Sequence, residues 1–292
     1  LSSKNKFFCL FTSGTTGQPK GVVHSYGGYS VYCKYTCLKK FGMNKDSLVL
    51  TASDAAWING HTYSLFGPLL FGAKTILLEK PQLLLNYQIL KKVLSLGVTI
   101  LYLPVTLIRL MKSIYPKKKF KFTKLKTIGS MGEPLASEVG SWYEKYFLNK
   151  GKSIINTYFQ TETGGIISSP SFKESCKFSP HGSVGKIVTN HISTNLLSKT
   201  KKNEIKITKP WPGMMTNIIN GKKYWKRYWD NNKNFRMFDL ATKKNNSLYI
   251  HGRLDDVINI RGHRIGSEEV ESVVLENKNI IECCAISSED YY

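Results

Sequence analysis

Alternating strand-like and helical segments predict an α/β fold for this chain. Between residues 7 and 157, short apolar runs of strand length alternate with segments whose apolar residues recur at helical spacing. After Pro170 the pattern changes to shorter strand-like runs separated by turns. A chain of 292 residues, 41% of them hydrophobic, is long enough to bury a sizeable core. We therefore expect sheets covered by helices, followed by a smaller β part.

The apolar runs predict the elements in chain order. Strands are expected at residues 7–11, 48–50, 98–103, 124–128 and 153–157. Helices are expected at residues 88–95 and after Pro104, which suits the first turn of a helix. A third helix is predicted by apolar residues at helical spacing, namely Leu135, Val139, Trp142, Tyr143 and Tyr146. In the second half, residues 204–208 and 247–251 are strand-like, 257–260 are apolar, and 268–275 begin an amphipathic helix.

The chain is strongly basic, with a formal net charge of +22 and a pI of about 9.7. Such a charge suits a surface for nucleic acid or an acidic membrane, and it equally suits lysines spread over solvated faces. The lysines fall in surface-like runs such as residues 117–119 and 199–202, and no recognised nucleic-acid motif accompanies them. We therefore expect solvated faces and no specific nucleic-acid partner, although polyanionic small molecules would be attracted.

The six cysteines form no C-x-x-C pair, and no cysteine–histidine cluster has zinc spacing. Reduced thiols and a cytoplasmic location are therefore expected. The longest stretch without Asp, Glu, Lys or Arg, residues 55–73, contains several polar residues, glycines and a proline. It is not interpreted as a membrane span.

A segment rich in glycine and hydroxyl side chains directly follows the first predicted strand. It contains Thr12, Ser13, Gly14, Thr15, Thr16, Gly17 and Lys20. Glycines let backbone N–H groups approach phosphate oxygens, hydroxyls add donors, and the lysine adds a positive charge. The segment is not a Walker A loop, because Pro19 replaces its second glycine and Gly21 replaces its Ser or Thr. Such a composition is also typical of an ordinary exposed loop, but the order of these residues favours a phosphate loop of another kind.

Two further segments follow predicted strands, at the edge where open α/β sheets bind ligands. Gly132, Glu133 and Pro134 come after the strand at 124–128, and alone they are typical of a turn. The run Asn-Thr-Tyr-Phe-Gln-Thr-Glu-Thr-Gly-Gly, residues 156–165, is more specific. Its Glu162 can hold Mg²⁺ through oxygen, and its Thr161 can donate to a phosphate.

An arginine- and aspartate-rich segment at residues 249–266 lies near the end of the chain, with Asp239 shortly upstream as a natural partner for ribose hydroxyls. Alone, the segment is typical of a salt-bridged surface loop. Joined in this order to the three earlier segments, it resembles the acyl-adenylate-forming enzymes, most closely the acetyl-CoA synthetase branch of the acyl-CoA synthetases. Residues 24–29, 57–63, 66–70 and 211–213 carry the same resemblance, which runs over nearly the whole chain.

The resemblance implies a domain organisation and a reaction. Residues 1–254 would form part of the large AMP-binding domain, and 255–292 the hinge and the start of a small α+β C-terminal domain. A carboxylate would attack the α-phosphate of ATP in the presence of Mg²⁺, and the thiol of CoA would then displace AMP from the acyl-adenylate. Catalysis would consist of positioning and of neutralising phosphate charge. Because the family's N-terminal portion and a late C-terminal lysine are missing, we expect these 292 residues alone to be inactive.

The resemblance also implies roles for individual residues. Thr12, Ser13, Gly14, Thr15, Thr16, Gly17 and Lys20 would cradle the β- and γ-phosphates. Gly132, Glu133 and Pro134 would line the adenine, Asn156 would lie near its amine, and Thr157 and Gln160 belong to the same nucleotide-binding run. Thr161 would contact the α-phosphate, Glu162 would bind Mg²⁺, and Asp239, helped by Arg253, would hold the ribose. Asp255 would be the hinge, and Gly262 would lie beside the path of CoA. Arg264 matches the basic residue that the family carries after Gly-His.

The predicted acid pocket consists of Ile58, Asn59, Met131 and Phe159, where acetyl-specific members carry Val, Thr, Val and Trp. Phe159 opens space, whereas Ile58 and Met131 add bulk. Acetate or propionate is the first expectation, and a larger or hydroxylated acid, hydrogen-bonded by Asn59, stays open. The chain also departs from the family at Phe238, which replaces the glycine usual before the ribose aspartate.

The leading interpretation is therefore an ATP-dependent ligase that joins a short-chain carboxylic acid to CoA. An adenylating enzyme that loads a carrier-protein thiol shares the first step and remains an alternative. A non-enzymatic, basic nucleic-acid-binding protein is the alternative of a different class. A degenerate homologue is disfavoured, because Lys20, Glu162, Asp239 and Arg253 are all present.

Overall fold

The computed structural model describes most of the chain. The described residues are 2–12, 19–120, 122–148, 154–173, 182–188, 194–195, 197–219, 222–254, 257–260, 263–275, 277, 280 and 283–286. The strands of the first half are β1 (Lys6–Thr12), β2 (Lys20–Ser25), β3 (Leu48–Thr51), β4 (Lys74–Ile76), β5 (Ile100–Pro104), β6 (Thr127–Met131) and β7 (Ile154–Asn156). Those of the second half are β8 (Ser168–Ser169), β9 (Lys186–Ile187), β10 (Asn203–Ile207), β11 (Asn217–Ile219), β12 (Phe235–Lys244), β13 (Ser247–Arg253), β14 (Val257–Ile260) and β15 (His263–Gly266).

Helices separate the strands of the first half and are sparse in the second. They are α1 (Tyr26–Thr36), α2 (Gly67–Leu70), α3 (Tyr87–Ser95), α4 (Val105–Ile114), α5 (Ser137–Phe147), α6 (Lys222–Arg227) and α7 (Ser267–Val274). Wider π-helical turns occur at Cys37–Phe41 and Gly60–Phe66, and tighter 3₁₀ turns at Pro81–Leu85 and Thr161–Thr163. Among the described residues, no helix is long and apolar enough to cross a membrane.

A five-stranded parallel sheet, in the order β4-β3-β5-β6-β7, forms the centre of the fold. Its middle strand β5 is buried on both faces: Leu101 and Leu103 join one apolar cluster, while Ile100 and Tyr102 join another. Continuous apolar strands of this kind are typical of parallel sheets covered on both sides. The sheet confirms the α/β class that the sequence predicts.

Different elements cover the two faces of the central sheet. On one face, α3, α4 and α5 contribute buried residues such as Leu90, Ile108 and Tyr143. On the other face, α1 and β1 contribute Tyr29, Cys33 and Leu10. The carboxyl ends of β3, β5, β6 and β7 meet at one edge of the sheet, because parallel strands share a direction.

Antiparallel sheets form the β part. Strand β2 pairs with β1 and β11, and β12 pairs with β10 and β13. A third apolar cluster fills this part, with Ile205, Met237 and Leu248 fully buried. Strands β14 and β15 form a hairpin that precedes α7.

Several predicted boundaries differ from the structure by one to three residues, and two of these differences have a clear local cause. The strand expected at 124–128 lies at Thr127–Met131, because Leu125 closes a turn onto Phe122 and Lys126 donates to the carbonyl of Thr99. Pro104 is the last residue of β5 and caps α4 in extended conformation instead of entering its first turn. Both differences move boundaries and leave the order of elements unchanged.

Candidate active site

A cleft of about 570 Å³ opens at the carboxyl edge of the central sheet. Three connections that follow parallel strands line one wall. Trp57, Ile58 and Asn59 follow β3; Gly132, Glu133 and Pro134 follow β6; Thr157, Tyr158, Phe159, Gln160, Thr161 and Glu162 follow β7. Open α/β sheets bind ligands at this edge, where strand ends leave loops free to carry polar groups.

The antiparallel part supplies the other wall of the cleft. Strands β12 and β13 contribute Met237, Phe238, Asp239, Ile250, Gly252 and Arg253, and Val184 lies beside them. Thr12 ends β1, Lys20 begins β2, and the segment at α6 adds Tyr224, Arg227 and Tyr228. Residues far apart in the sequence therefore converge on a single cavity.

Most of the sequence-predicted site residues within the described range line this cleft. They are Thr12, Lys20, Ile58, Asn59, Gly132, Glu133, Pro134, Thr157, Phe159, Gln160, Thr161, Glu162, Asp239 and Arg253. Two others lie behind the lining. Met131 is buried in the same apolar cluster as Ile58. Asn156 is buried, with its carbonyl oxygen accepting from Ser130 and its amide donating to the backbone of Ser183.

The remaining predicted residues fall outside the description. Ser13, Gly14, Thr15, Thr16, Gly17, Asp255 and Gly262 are not among the described residues. Arg264 lies on β15, where its backbone pairs with Asn259, and its side chain is not described. Their roles stay predictions.

Lys20 and Glu162 form an ion pair inside the cleft. The Lys20 Nζ lies 3.2 Å from the Glu162 Oε1, and both side chains are about nine-tenths buried, with exposures of 12% and 10%. The Tyr228 hydroxyl donates to the same carboxylate oxygen and accepts from the Lys20 ammonium. Burial, reinforced by the neighbouring Glu162 charge, raises the pKa of Tyr228, so its hydroxyl stays protonated and able to donate.

Asp239 is the second carboxylate of the cleft. Its Oδ2 accepts from the Tyr158 hydroxyl at 2.5 Å and from the Gln160 amide at 2.6 Å. Burial raises the pKa of Asp239 to about 6, against the opposing effects of the Tyr158 hydrogen bond and the Arg253 charge. Arg253 lies directly opposite Asp239 in the β12–β13 pairing. Above that pKa, an ionised carboxylate can accept hydrogen bonds from a diol such as a ribose.

The tight turn at Thr161–Thr163 is fixed from several sides. The His24 Nε2 lies 2.8 Å from the Thr161 carbonyl, the Trp211 indole donates to the Thr163 carbonyl, and the Met215 amide donates to the Glu162 carbonyl. Burial lowers the pKa of His24 to about 4, so the ring is neutral near pH 7. The turn presents Thr161 and Glu162 to the cleft on a backbone that is held at every carbonyl.

Gly164 ends this turn with a φ of +68°, and the position accepts only glycine. A Cβ there would lie 2.2 Å from the carbonyl oxygen of Gly213. The close approach joins the turn to the segment that precedes β11. Since backbone meets backbone, neither side can move aside cheaply.

Phe238, directly before Asp239, has an unusual backbone conformation. Its φ is +57°, a left-handed value that an aromatic residue rarely adopts. The ring lies at the cleft, with the Arg236 guanidinium 4.6 Å and the Arg227 guanidinium 5.0 Å from its centroid. Cation–π contacts and burial help to offset the backbone cost.

The donor set of the cleft fits a magnesium-bound nucleotide. The Thr12 Oγ1 is buried and has no hydrogen-bond partner among the described residues, so it is free to donate to a phosphate. Lys20 supplies a cation, and Glu162 supplies the oxygen that Mg²⁺ prefers. No group of three or more His, Cys, Asp and Glu side chains gathers in the described part of the chain. Magnesium bound through the Glu162 carboxylate could complete its coordination with phosphate oxygens and water.

Tyr228, Tyr158 and Phe238 complete the site, and the sequence-predicted site residues do not include them. Tyr228 lies 208 residues from Lys20 and 66 from Glu162 along the chain. No local spacing predicts such a contact. The unusual residue before Asp239 is the only signal that points to Phe238.

The sheet carries, at its carboxyl edge, side chains of the kinds that bind phosphate and ribose, and this combination is typical of a nucleotide-binding protein. The chain belongs to the AMP-binding enzyme family, whose model matches residues 2–229. It is 34% identical to the acetyl-coenzyme A synthetase of Helicobacter pylori (strain P12) over 308 residues, covering 99% of this chain and 46% of that protein. It is 32% identical to acetyl-coenzyme A synthetase 1 of Candida glabrata, covering 99% of this chain and 43% of that protein.

A solved structure shows the same fold. It is the anthranilate CoA ligase AuaEII in complex with anthranoyl-AMP, with a TM-score of 0.83 and 17% identity. The match covers 98% of this chain and 55% of that one. The chain thus spans about half the length of the relatives it matches.

Proposed function

We propose that the full-length protein is an AMP-forming ligase that joins a short-chain carboxylic acid to CoA. The observation that carries the proposal is the convergence of Lys20, Glu162 and Asp239 on one cleft at the carboxyl edge of the sheet. The similarity to acetyl-coenzyme A synthetases along the whole chain supports the same reaction. The substrates would be ATP, CoA and a small carboxylic acid, with Mg²⁺ bound to the nucleotide.

The residues of the cleft can serve this reaction without a covalent intermediate on the protein. Thr12 and Lys20 would bind the outer phosphates, and Thr161 would donate to the α-phosphate. Magnesium held by Glu162 would neutralise phosphate charge. Asp239, next to Arg253, would fix the ribose. Holding the acid in line with the α-phosphate would further accelerate the reaction, since a fixed orientation replaces a bimolecular encounter.

The acid would bind beside Ile58, Asn59 and Phe159. Phe159 packs edge-on against Tyr63, with centroids 5.5 Å apart, so its ring position is fixed. Ile58 is buried, and Met131 lies behind it in the same cluster. A small apolar end of the acid suits these neighbours, and the Asn59 amide offers a hydrogen bond to a hydroxyl. Acetate and propionate are the first candidates.

The test is pyrophosphate release by the full-length protein with ATP, Mg²⁺, CoA and a panel of acids from acetate to hexanoate, hydroxy acids included. Release that needs both one acid and CoA supports the ligase and identifies its acid. Pyrophosphate release that depends on an acid but leads to no acyl-CoA indicates that a carrier-protein thiol is the acceptor. If no acid of the panel leads to pyrophosphate release, the proposal is contradicted. E162Q serves as control, since the amide cannot carry the charge that Mg²⁺ requires.

A cytoplasmic location and the absence of a specific nucleic-acid partner complete the proposal. Cell fractionation checks the location. Salt-dependent DNA binding, discussed below, checks the partner.

A further inference from the structure

We propose that Tyr228 is a positioning residue of the nucleotide site, which holds the Glu162 carboxylate in place when Lys20 leaves it for the phosphates of an incoming nucleotide. This inference rests on the proposed function, because it assigns Lys20 to the phosphates and Glu162 to magnesium. The contact that carries it is the Tyr228 hydroxyl, which donates to the Glu162 Oε1 and accepts from the Lys20 Nζ.

Lys20 and Glu162 neutralise each other's charge in the cleft. Lys20 and Glu162 pair at 3.2 Å with side-chain exposures of 12% and 10%. A nucleotide that draws Lys20 to its phosphates removes the only cation paired with Glu162 in the described part of the chain. Magnesium that enters with the nucleotide would restore the charge balance of Glu162, but it would not by itself fix the orientation of the carboxylate, which we assign to a hydrogen-bond donor that stays on it.

The Tyr228 hydroxyl is that donor, because its ring is fixed independently of Lys20 and Glu162. The ring stacks on Phe235 at a centroid distance of 5.4 Å and an angle of 11°, and it meets Phe238 edge-on at 5.6 Å. Its backbone accepts from Arg236 and donates to Trp225. Tyr228 is only 4% exposed, so it cannot swing out with Lys20. Its hydrogen bond therefore keeps Glu162 oriented throughout nucleotide entry.

The first experiment compares Y228F with the wild type in the full-length protein. A non-hydrolysable ATP analogue is titrated by calorimetry at several Mg²⁺ concentrations, without acid or CoA, so that binding is read without turnover. Y228F keeps the stacked ring and loses only the hydroxyl. We expect magnesium-supported binding to weaken by about ten-fold or more, as for the loss of a hydrogen bond to a charged group. We also expect the half-saturating Mg²⁺ concentration to rise.

The matched control is Y143F. Tyr143 lies on α5 in the apolar cluster beneath the central sheet, and its buried hydroxyl has no partner among the described residues. Removing that hydroxyl should leave nucleotide binding unchanged. If Y143F weakens binding as much as Y228F, the effect is general and the inference is wrong.

A double-mutant cycle separates positioning from a purely structural role. If Tyr228 acts through Glu162, adding Y228F to E162Q should weaken binding far less than Y228F does in the wild type. If the losses of binding free energy in Y228F and E162Q are additive, the inference is wrong. It is also wrong if Y228F binds the analogue as tightly as the wild type does. The proposed function stands in both cases. Failure of the wild type to bind the analogue at any Mg²⁺ concentration overturns the proposed function and this inference together.

Discussion

The backbone of Phe238 adopts a left-handed conformation that is unfavourable for an aromatic residue. A left-handed φ costs an ordinary residue about 1 kcal/mol or more, and glycine nothing. Both F238A and F238G remove the buried ring, so the difference between them isolates the backbone. We expect F238G to be more stable than F238A by about 1 kcal/mol in urea unfolding. At an ordinary strand position alanine would be the more stable of the two, and that result would contradict the assigned φ.

We expect Asp239 to make nucleotide binding depend on pH. Its pKa of about 6 leaves the carboxylate ionised at neutral pH and mostly protonated at about pH 5. A protonated carboxyl loses acceptor strength toward a ribose diol. We expect ATP binding by calorimetry to weaken several-fold between about pH 7.5 and about pH 5. D239N supplies the control, because any slope it retains comes from the nucleotide's own phosphates.

The same carboxyl group affects stability with a definite sign. Its folded-state pKa lies above the unfolded value of about 3.9, so folding takes up a proton between about pH 4 and about pH 6. The free energy of unfolding from this group therefore falls as the pH rises through that window. The thermal midpoint of D239N minus that of the wild type should therefore be larger at neutral pH than at about pH 4. An unchanged difference would contradict the raised pKa.

At the scale of elements, the turn at Thr161–Thr163 depends on Gly164. G164A would place a Cβ 2.2 Å from the Gly213 carbonyl oxygen and would also strain a φ of +68°. Gly72 is a matched control, since its φ is +63° and a Cβ there meets nothing within 4 Å. We expect G72A to cost about 1 kcal/mol and G164A clearly more, with loss of ATP binding only in G164A. Thermal melts and calorimetry measure both, and equal costs would contradict the close approach.

The sequence predicts elements well where burial alone determines them and less well where neighbours do. Strand β5 and helix α3 follow from their apolar patterns. Helix α1 does not, because its first residue, Tyr26, is followed by Gly27 and Gly28, which are poor helix formers. Tertiary packing demands these glycines: a Cβ on Gly28 would lie 2.3 Å from the Pro212 carbonyl oxygen. The same limit applies to the site, where Lys20 and Glu162 lie in recognisable segments but Tyr228 is assigned only by contacts across the fold.

At the scale of the whole molecule, the net charge of +22 predicts nonspecific attraction to polyanions. We expect weak DNA binding, equal for unrelated sequences, that falls steeply between about 50 mM and about 200 mM salt. Fluorescence anisotropy with two unrelated duplexes measures this. A strong preference for one duplex that persists at the higher salt concentration would contradict the prediction and favour a nucleic-acid-binding protein.

The residues that line the cleft come from two apolar clusters. Ile58 belongs to the cluster on the α1 and β1 side of the central sheet, whereas Tyr158, Tyr228 and Phe238 belong to the cluster of the antiparallel part. Polar contacts already connect the parallel-strand side with the antiparallel side, because Tyr158 and Gln160 donate to Asp239 and Tyr228 donates to Glu162. A ligand bound between these residues would contact both clusters only in the folded arrangement. Its binding free energy would therefore add to the free energy of unfolding of the whole molecule.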